Sequence, residues 1–446
     1  VNKAASFFNE VAFLFYGYYI LYFTSLLFVF FASLLTATHL NKRKIFNDPV
    51  YGFITIPHEL IFDIIEHRYF QRLRRIKQLG LSDYIYPGAL HTRFHHALGA
   101  FHLMRKAIAI LKIKGVEISE KEELGASIAI LLHDIGHGPF SHTLEKCLIP
   151  GVNHESISRI YFKKLNQYFD GELDIAIQIF EDTYPKRFLH QLVSSQLDVD
   201  RLDYLTRDSF FTGVNEGIIS YDRIIEMMNV ANDELVIEQK GIYSIEKFII
   251  SRRLMYWQVY LHKTVLCVEQ MLIKTIERAK QLSMQGESLP CSKALSYFLQ
   301  KNIPVEDFAN SEEAIEYFSL LDDVDVFAAL KEWQFHADVL LSKLCEAILN
   351  RHLFKIELHN KPIDEQQLTT LRQTVAHKLN INEAEAAGFV FADATYNHAY
   401  NAKEDRIKIW GSDGVVRNAE NVSEQLEATV VSERIVKYYV CYPKFV

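Results

Sequence analysis

Twelve residues, Leu131-Leu132-His133-Asp134-Ile135-Gly136-His137-Gly138-Pro139-Phe140-Ser141-His142, set three histidines and an aspartate directly behind an apolar run. The adjacent His133 and Asp134 can offer an imidazole nitrogen and a carboxylate oxygen to one ion. Mixed nitrogen and oxygen donors suit Mn²⁺, Fe²⁺ or Mg²⁺ better than a closed zinc site, which commonly recruits thiolates. The chemistry to expect is metal-assisted attack on a phosphorus centre. Three other stretches carry matching residue types: His91 to Gly99, Asn153-His154-Glu155, and Gln196 to Asp208. Eight histidines between His91 and His154 exceed what a core buries without a task, although His91 and His102 read as structural. Asp198 and Asp203 read as salt-bridge or helix-cap residues.

The order H…HD…D resembles the signature of the HD-domain metal-dependent phosphohydrolases. Five longer strings resemble their deoxynucleoside triphosphate triphosphohydrolase branch: Phe46 to Pro49, Gln71 to Gly80, Tyr86 to Ala89, His133 to His142, and Asp198 to Asp208. The likeness covers about Lys44 to Lys263 and fades beyond Lys280. It implies four metal ligands, His96, His133, Asp134 and Asp200, with His95 at a variable position. It implies His137, His142 and His154 around the α-phosphate as catalytic groups. A triphosphate needs cations, and the resemblance offers Arg93, Arg201 and Arg252. It further implies Tyr204 against the sugar, Gln78, Leu79 and Asp208 at the deoxyribose, and Tyr260 among the substrate contacts. Lys44, Asn47, Gln71 and Arg74 match parts of a pocket for a regulatory nucleotide, and a dimer or tetramer is the implied assembly.

The expected activity is hydrolysis of a dNTP to deoxynucleoside and triphosphate. The expected cofactor is a divalent metal, Mn, Fe or Mg, with Zn or Ni as crystal substitutes. Alternatives are an HD phosphohydrolase of a monophosphate, cyclic dinucleotide or alarmone, and a catalytically silent nucleotide sensor.

The composition of the 446 residues, 49% hydrophobic and 23% charged, with 18 Gly and 10 Pro, reads as globular and mainly helical. The net charge of −8 argues against nucleic acid as the main partner. Five scattered cysteines without C-x-x-C spacing read as reduced thiols of a cytoplasmic protein.

To position the site, the periodicity predicts a strand at Phe53 to Ile56 and a helix around Leu60 to Ile65. The arginines from Arg68 to Arg75 read as a solvated face or a phosphate contact. Helices are expected at Phe94–Lys112, Lys121–Leu132, Ser156–Phe169, Leu173–Glu181, Phe188–Arg207 and Ile245–Gln281. After Pro290, helices run to His352, and extended segments follow at Leu353–Leu358, Arg406–Trp410, Thr429–Val431 and Val436–Cys441. The fold class is therefore mainly α, a helical HD body over residues 41–285 with a smaller mixed α/β region at 286–446. Residues 1–40 stand apart. Val11 to Leu35 is uncharged and long enough to span a bilayer, so a membrane partner enters only through residues 11–35. The competing expectation is a translation artefact, since the first methionine is Met104.

Overall fold

The computed structural model describes residues 44–397, 406–423, 426 and 435–446. They fall into two units. Of the first, Val1–Phe46 with Thr55–Phe62, the described part is residues 44–46 and 55–62, where Lys44 Nζ lies 4.3 Å from the centre of the Phe62 ring. The second, Asn47–Ile54 with Asp63–Val446, holds the fold described below. The apolar stretch at 11–35 lies outside the described residues. Among the described residues no helix is long and apolar enough to cross a membrane.

The chain is mainly helical, as its composition predicts. Strands β1 (Lys44–Asp48) and β2 (Gly52–Ile56) lead into helix α1 (Glu59–Glu66). Helix α2 (Arg93–Ile113) starts at Thr92, whose backbone N–H donates to His95 Nδ1 at 3.2 Å while its side chain accepts from the His95 backbone. This capping box occupies His95 and turns His96 into the core. Helix α3 (Glu120–Leu132) opens with a second box, Ser119 with Glu122, and buries every residue from Gly125 to Leu132. His133 and Asp134 leave its C-terminal end on a rigid mount. Helices α4 (His142–Leu148), α5 (His154–Tyr168) and α6 (Asp174–Phe180) follow.

The segment expected as one helix, Phe188 to Arg207, is two: α7 (Arg187–Val193) and α8 (Val199–Thr212). Asp198 breaks it, accepting from Ser195 N and Arg201 N, both at 2.7 Å, so that it caps α8 instead of continuing α7. The single helix expected over Ile245–Gln281 is also divided. Helix α9 (Ile242–Met255) passes through a π-helical turn at Tyr256–Tyr260, and α10 (Lys263–Met284) restarts from His262, which accepts from Thr264 N.

Beyond α10, helices α11 (Asp323–Trp333) and α12 (Val339–Leu349) pack against each other, and α12 also packs on α10. The mixed α/β expectation holds. An antiparallel sheet joins strands Lys355–His359 and Phe391–Asn397 to the central Ile435–Tyr442. A four-stranded sheet joins Met228–Ala231 and Glu234–Glu238 to Lys408–Trp410 and Val416–Asn418. Thr429–Val431 lies outside the described residues. The five cysteines are free thiols.

The arginine run is not a solvated face throughout. Arg72 is fully buried, donating to the carbonyls of Leu321 (3.2 Å) and Ile135 (2.8 Å). Two carbonyls at chain turns needed a donor, and its guanidinium supplies it. Arg68 and Arg75 instead pair with Glu316 and Asp322.

Glu122 gives this scaffold a measurable pH signature. Burial would raise its pKa, but donors from Ser119, Lys186 and Tyr184 outweigh that and bring it down to about 2. Its stabilisation is complete above the ordinary carboxylate value and is lost as pH falls towards 2. Glu122→Gln should cost about 1–3 kcal/mol at pH 7 in urea titration. The difference from wild type should shrink as pH drops below 4; a pH-independent difference would contradict the assignment.

Candidate metal centre and catalytic cleft

Four side chains from three helical segments converge. His96 on α2 is fully buried, and its Nε2 lies 3.3 Å from His133 Nε2, 3.0 Å from Asp200 Oδ1 and 3.6 Å from Asp134 Oδ2. His133 Nε2 is 3.4 Å from both Asp134 Oδ1 and Asp200 Oδ1. The ring protons are held elsewhere. His96 Nδ1 donates to Asp203 Oδ2 at 2.7 Å, and His133 Nδ1 donates to the Ile130 carbonyl at 2.6 Å. Each Nε2 therefore turns a lone pair into the same small space. Two lone pairs facing each other beside two carboxylates call for a cation. Without one the rings must carry protons: burial opposes this at His96, yet Asp200 and Asp203 raise it to about 10. The donor set fits a hard or borderline divalent ion, and His96, His133 and Asp200 could each give one atom to it, with Asp134 beside them.

Asp203 does more than receive one proton. It takes Nε and Nη2 of Arg207, both at 3.0 Å, and Arg207 continues to Asp48 Oδ2 at 2.7 Å. This buried chain needs the surface of Gly99 bare. A Cβ there would meet Asp203 Oδ1 at 2.0 Å and the Arg207 guanidinium at 2.1 Å. Gly136 is equally constrained, since a Cβ would meet the His154 carbonyl at 2.1 Å where α5 begins.

A second cluster adjoins the first. His137 Nε2 lies 3.3 Å from Asp134 Oδ1, and its ring stacks on His154 at 3.9 Å and 15°. Burial, then the charge of Arg93, holds the His137 ring well below the usual imidazole range, so it is neutral at pH 7. His142 stands edge-on to both rings, 5.0 Å from each. Glu145 ties this cluster together, accepting from His154 N at 2.8 Å and lying 3.2 Å from His154 Nδ1 and 3.1 Å from His142 Nδ1. Glu145 was not among the residues expected from the sequence. The signal was present in the i,i+3 spacing from His142 on one helix face.

The expected substrate residues sit around these clusters. Arg93 is buried, its guanidinium bonded to Asp134 and to Ser141 Oγ (2.9 Å). Arg201 pairs with Asp198 at 2.5 Å, and Arg252 donates to Gln196 Oε1 at 3.1 Å; each keeps a buried Nε that has no hydrogen-bond partner among the described residues. Gln78 Oε1 is likewise buried and has no hydrogen-bond partner among the described residues. Leu79 neighbours it in the chain, half-buried. Tyr260, on the π turn, donates to Asp208 Oδ2 at 2.8 Å, and His91 Nε2 lies 2.8 Å from Asp208 Oδ1. Tyr204 meets Tyr260 edge to face at 6.2 Å. Of the expected regulatory residues, Gln71 Oε1 accepts from Arg74 Nε at 2.9 Å, Asn47 is exposed, and Lys44 belongs to the other unit.

Residues 93–208 match the HD domain model, and residues 219–289 match the HD associated region. A crystallised phosphohydrolase from Bacteroides thetaiotaomicron superposes with a TM-score of 0.88 at 51% identity, covering 90% of this chain and all of that one. An uncharacterized protein of Bacillus subtilis, YwfO, is 35% identical over 71% of this chain and 72% of its own. The chain belongs to the HD-domain phosphohydrolases. Its matches run through the branch of the deoxynucleoside triphosphate triphosphohydrolases: the SAMHD1 homolog of Dictyostelium discoideum is 32% identical over 56% of this chain and 52% of its own length. HD domains bind divalent metal, in keeping with the donor set here.

Asp134→Ala in this HD phosphohydrolase should leave circular dichroism unchanged and weaken Mn²⁺ binding by at least about 100-fold in calorimetry. Wild-type affinity in the variant would remove Asp134 from the centre.

Proposed function

We propose that this enzyme hydrolyses deoxynucleoside triphosphates to deoxynucleoside and triphosphate, through attack of water at the α-phosphorus. The observation that carries the reading is the contact between two clusters. The His96, His133, Asp134 and Asp200 group abuts the His137, His142, His154 and Glu145 group through the 3.3 Å approach of His137 to Asp134. A bound divalent cation, held by the first group, would acidify a water and draw charge from a phosphoryl oxygen. Asp134 and the neutral His137 ring orient the attacking water. The new bond is water oxygen to α-phosphorus, and the bond that breaks is α-phosphorus to O5′. The departing O5′ needs a proton. His142 is the exposed member of its cluster, 69% accessible, and Glu145 holds its Nδ1, so His142 is well placed to deliver that proton from the open side. His154, stacked on His137 and bonded to the same Glu145, fixes the ring orientations.

Arg201 and Arg252 each keep one buried Nε–H that no acceptor among the described residues satisfies, and a phosphate oxygen would supply that acceptor, which supports phosphate binding. Asp208 and Tyr260 complement a sugar hydroxyl, and Tyr204 presents a ring face to a flat or cyclic group. The match to a named deoxynucleoside triphosphate triphosphohydrolase supports the same substrate class.

Purified protein incubated with each dNTP and Mn²⁺, with and without GTP, should release intact triphosphate on anion exchange. Orthophosphate or pyrophosphate as the product would overturn the reading. His137→Ala should retain Mn²⁺ and lose at least about 100-fold in kcat, and an unchanged rate would exclude His137 from the reaction.

A further inference from the structure

The turn between the metal centre and α4 is strained. Phe140 and Ser141 both hold φ at 53°, a left-handed conformation that a bulky aromatic residue rarely adopts. Such backbone persists only where its surroundings over-determine it. This turn carries His137 on one side and His142 on the other, so its geometry sets the spacing of the histidine cluster.

One carboxylate holds the turn from far along the chain. Asp323, buried at the start of α11, accepts from Phe140 N through Oδ1 at 2.7 Å and from Lys77 N through Oδ2 at 2.9 Å. Lys77 directly precedes Gln78, whose buried Oε1 has no hydrogen-bond partner among the described residues. Ser141 Oγ closes the same junction, donating to the Lys77 carbonyl at 3.3 Å and accepting from Arg93 Nε at 2.9 Å. The N-terminal position on α11 favours a carboxylate there. Asp323 lies beyond both segments matched to family models, residues 93–208 and 219–289. Its neighbour Asp322 caps α11 and pairs with Arg75, whereas the bonds from Phe140 N and Lys77 N go to Asp323.

We propose that Asp323 is a positioning residue, clamping the His137–His142 turn to the Gln78 segment so that the proton-handling and sugar-side residues keep a fixed separation. The proposal rests on the dNTP hydrolysis reading for its kinetic consequence only. The region after α10 then contributes to turnover without touching substrate.

The test compares Asp323→Asn with Asp322→Asn in the full chain. An asparagine can accept from one N–H but turns its own NH₂ towards the other. Asp323→Asn should lower kcat for dNTP hydrolysis about 10- to 100-fold, change KM less than about threefold, and leave Mn²⁺ affinity within about twofold. Hydrogen exchange in peptides covering 76–80 and 136–143 should quicken at least about tenfold, with α3 unaffected. Asp322→Asn should lower Tm while keeping kcat and the exchange of both peptides. If Asp323→Asn does not fold, Asp323→Glu, with its oxygens displaced by one methylene, should give the same local loss. Wild-type kcat, or unchanged exchange at both peptides, would overturn the clamp. Should the wild-type protein hydrolyse no dNTP, the function reading falls, and the exchange experiment alone decides the clamp.

Discussion

The site depends on where two imidazole protons go. Asp203 takes the Nδ1 proton of His96, and the carbonyl of Ile130 takes that of His133. Both rings are thereby fixed in the tautomer that offers Nε2 as a lone pair, and both lone pairs face the carboxylates of Asp134 and Asp200. A buried pocket with this much negative charge is costly unless cations balance it. Arg93 beside Asp134 and Arg201 beside Asp198 offset part of it. The remainder is the electrostatic requirement for a cation.

The scaffold serves that requirement by making the ligand mounts stiff. His96 lies one turn inside a capped helix whose neighbour Gly99 lets the Asp203–Arg207 pair pass against the backbone. His133 and Asp134 extend from an end of α3 that is buried on every side. Asp200 sits in the first turn of α8, which Asp198 anchors. None of the three segments can shift by itself without breaking a buried hydrogen bond. The histidine cluster is mounted differently: His137 and His142 flank a strained turn bonded to Asp323, and His154 comes from the first position of α5.

Much of the helical frame was legible in the residues. Arg93–Ile113 and Glu120–Leu132 follow from long apolar patterns bounded by capping residues, and the HD string marks the end of the second. The breaks at Ser194–Asp198 and Tyr256–Tyr260 were not legible, because apolar periodicity runs through them and only the cap at Asp198 and the π turn interrupt it. The short strands Met228–Ala231 and Glu234–Glu238 were missed for a related reason: four or five residues carry too little alternation to stand out. The residue types for a metal centre were evident, but their partners were not. Asp203 is 107 positions from His96, and Asp323 is 183 positions from Phe140, separations over which composition and spacing say nothing. The burial of Arg72 is the same lesson: a charged run looks solvated until two distant carbonyls require its donors.

If these Nε2 lone pairs and two carboxylates share one cation, a crystal grown with Mn²⁺ will show it. Data collected at the manganese absorption edge should give one strong anomalous peak about 2.0–2.3 Å from His96 Nε2, His133 Nε2 and an oxygen each of Asp134 and Asp200. A fully occupied manganese site elsewhere, with this pocket holding only water or protonated imidazoles, would show that the four side chains are not a metal centre.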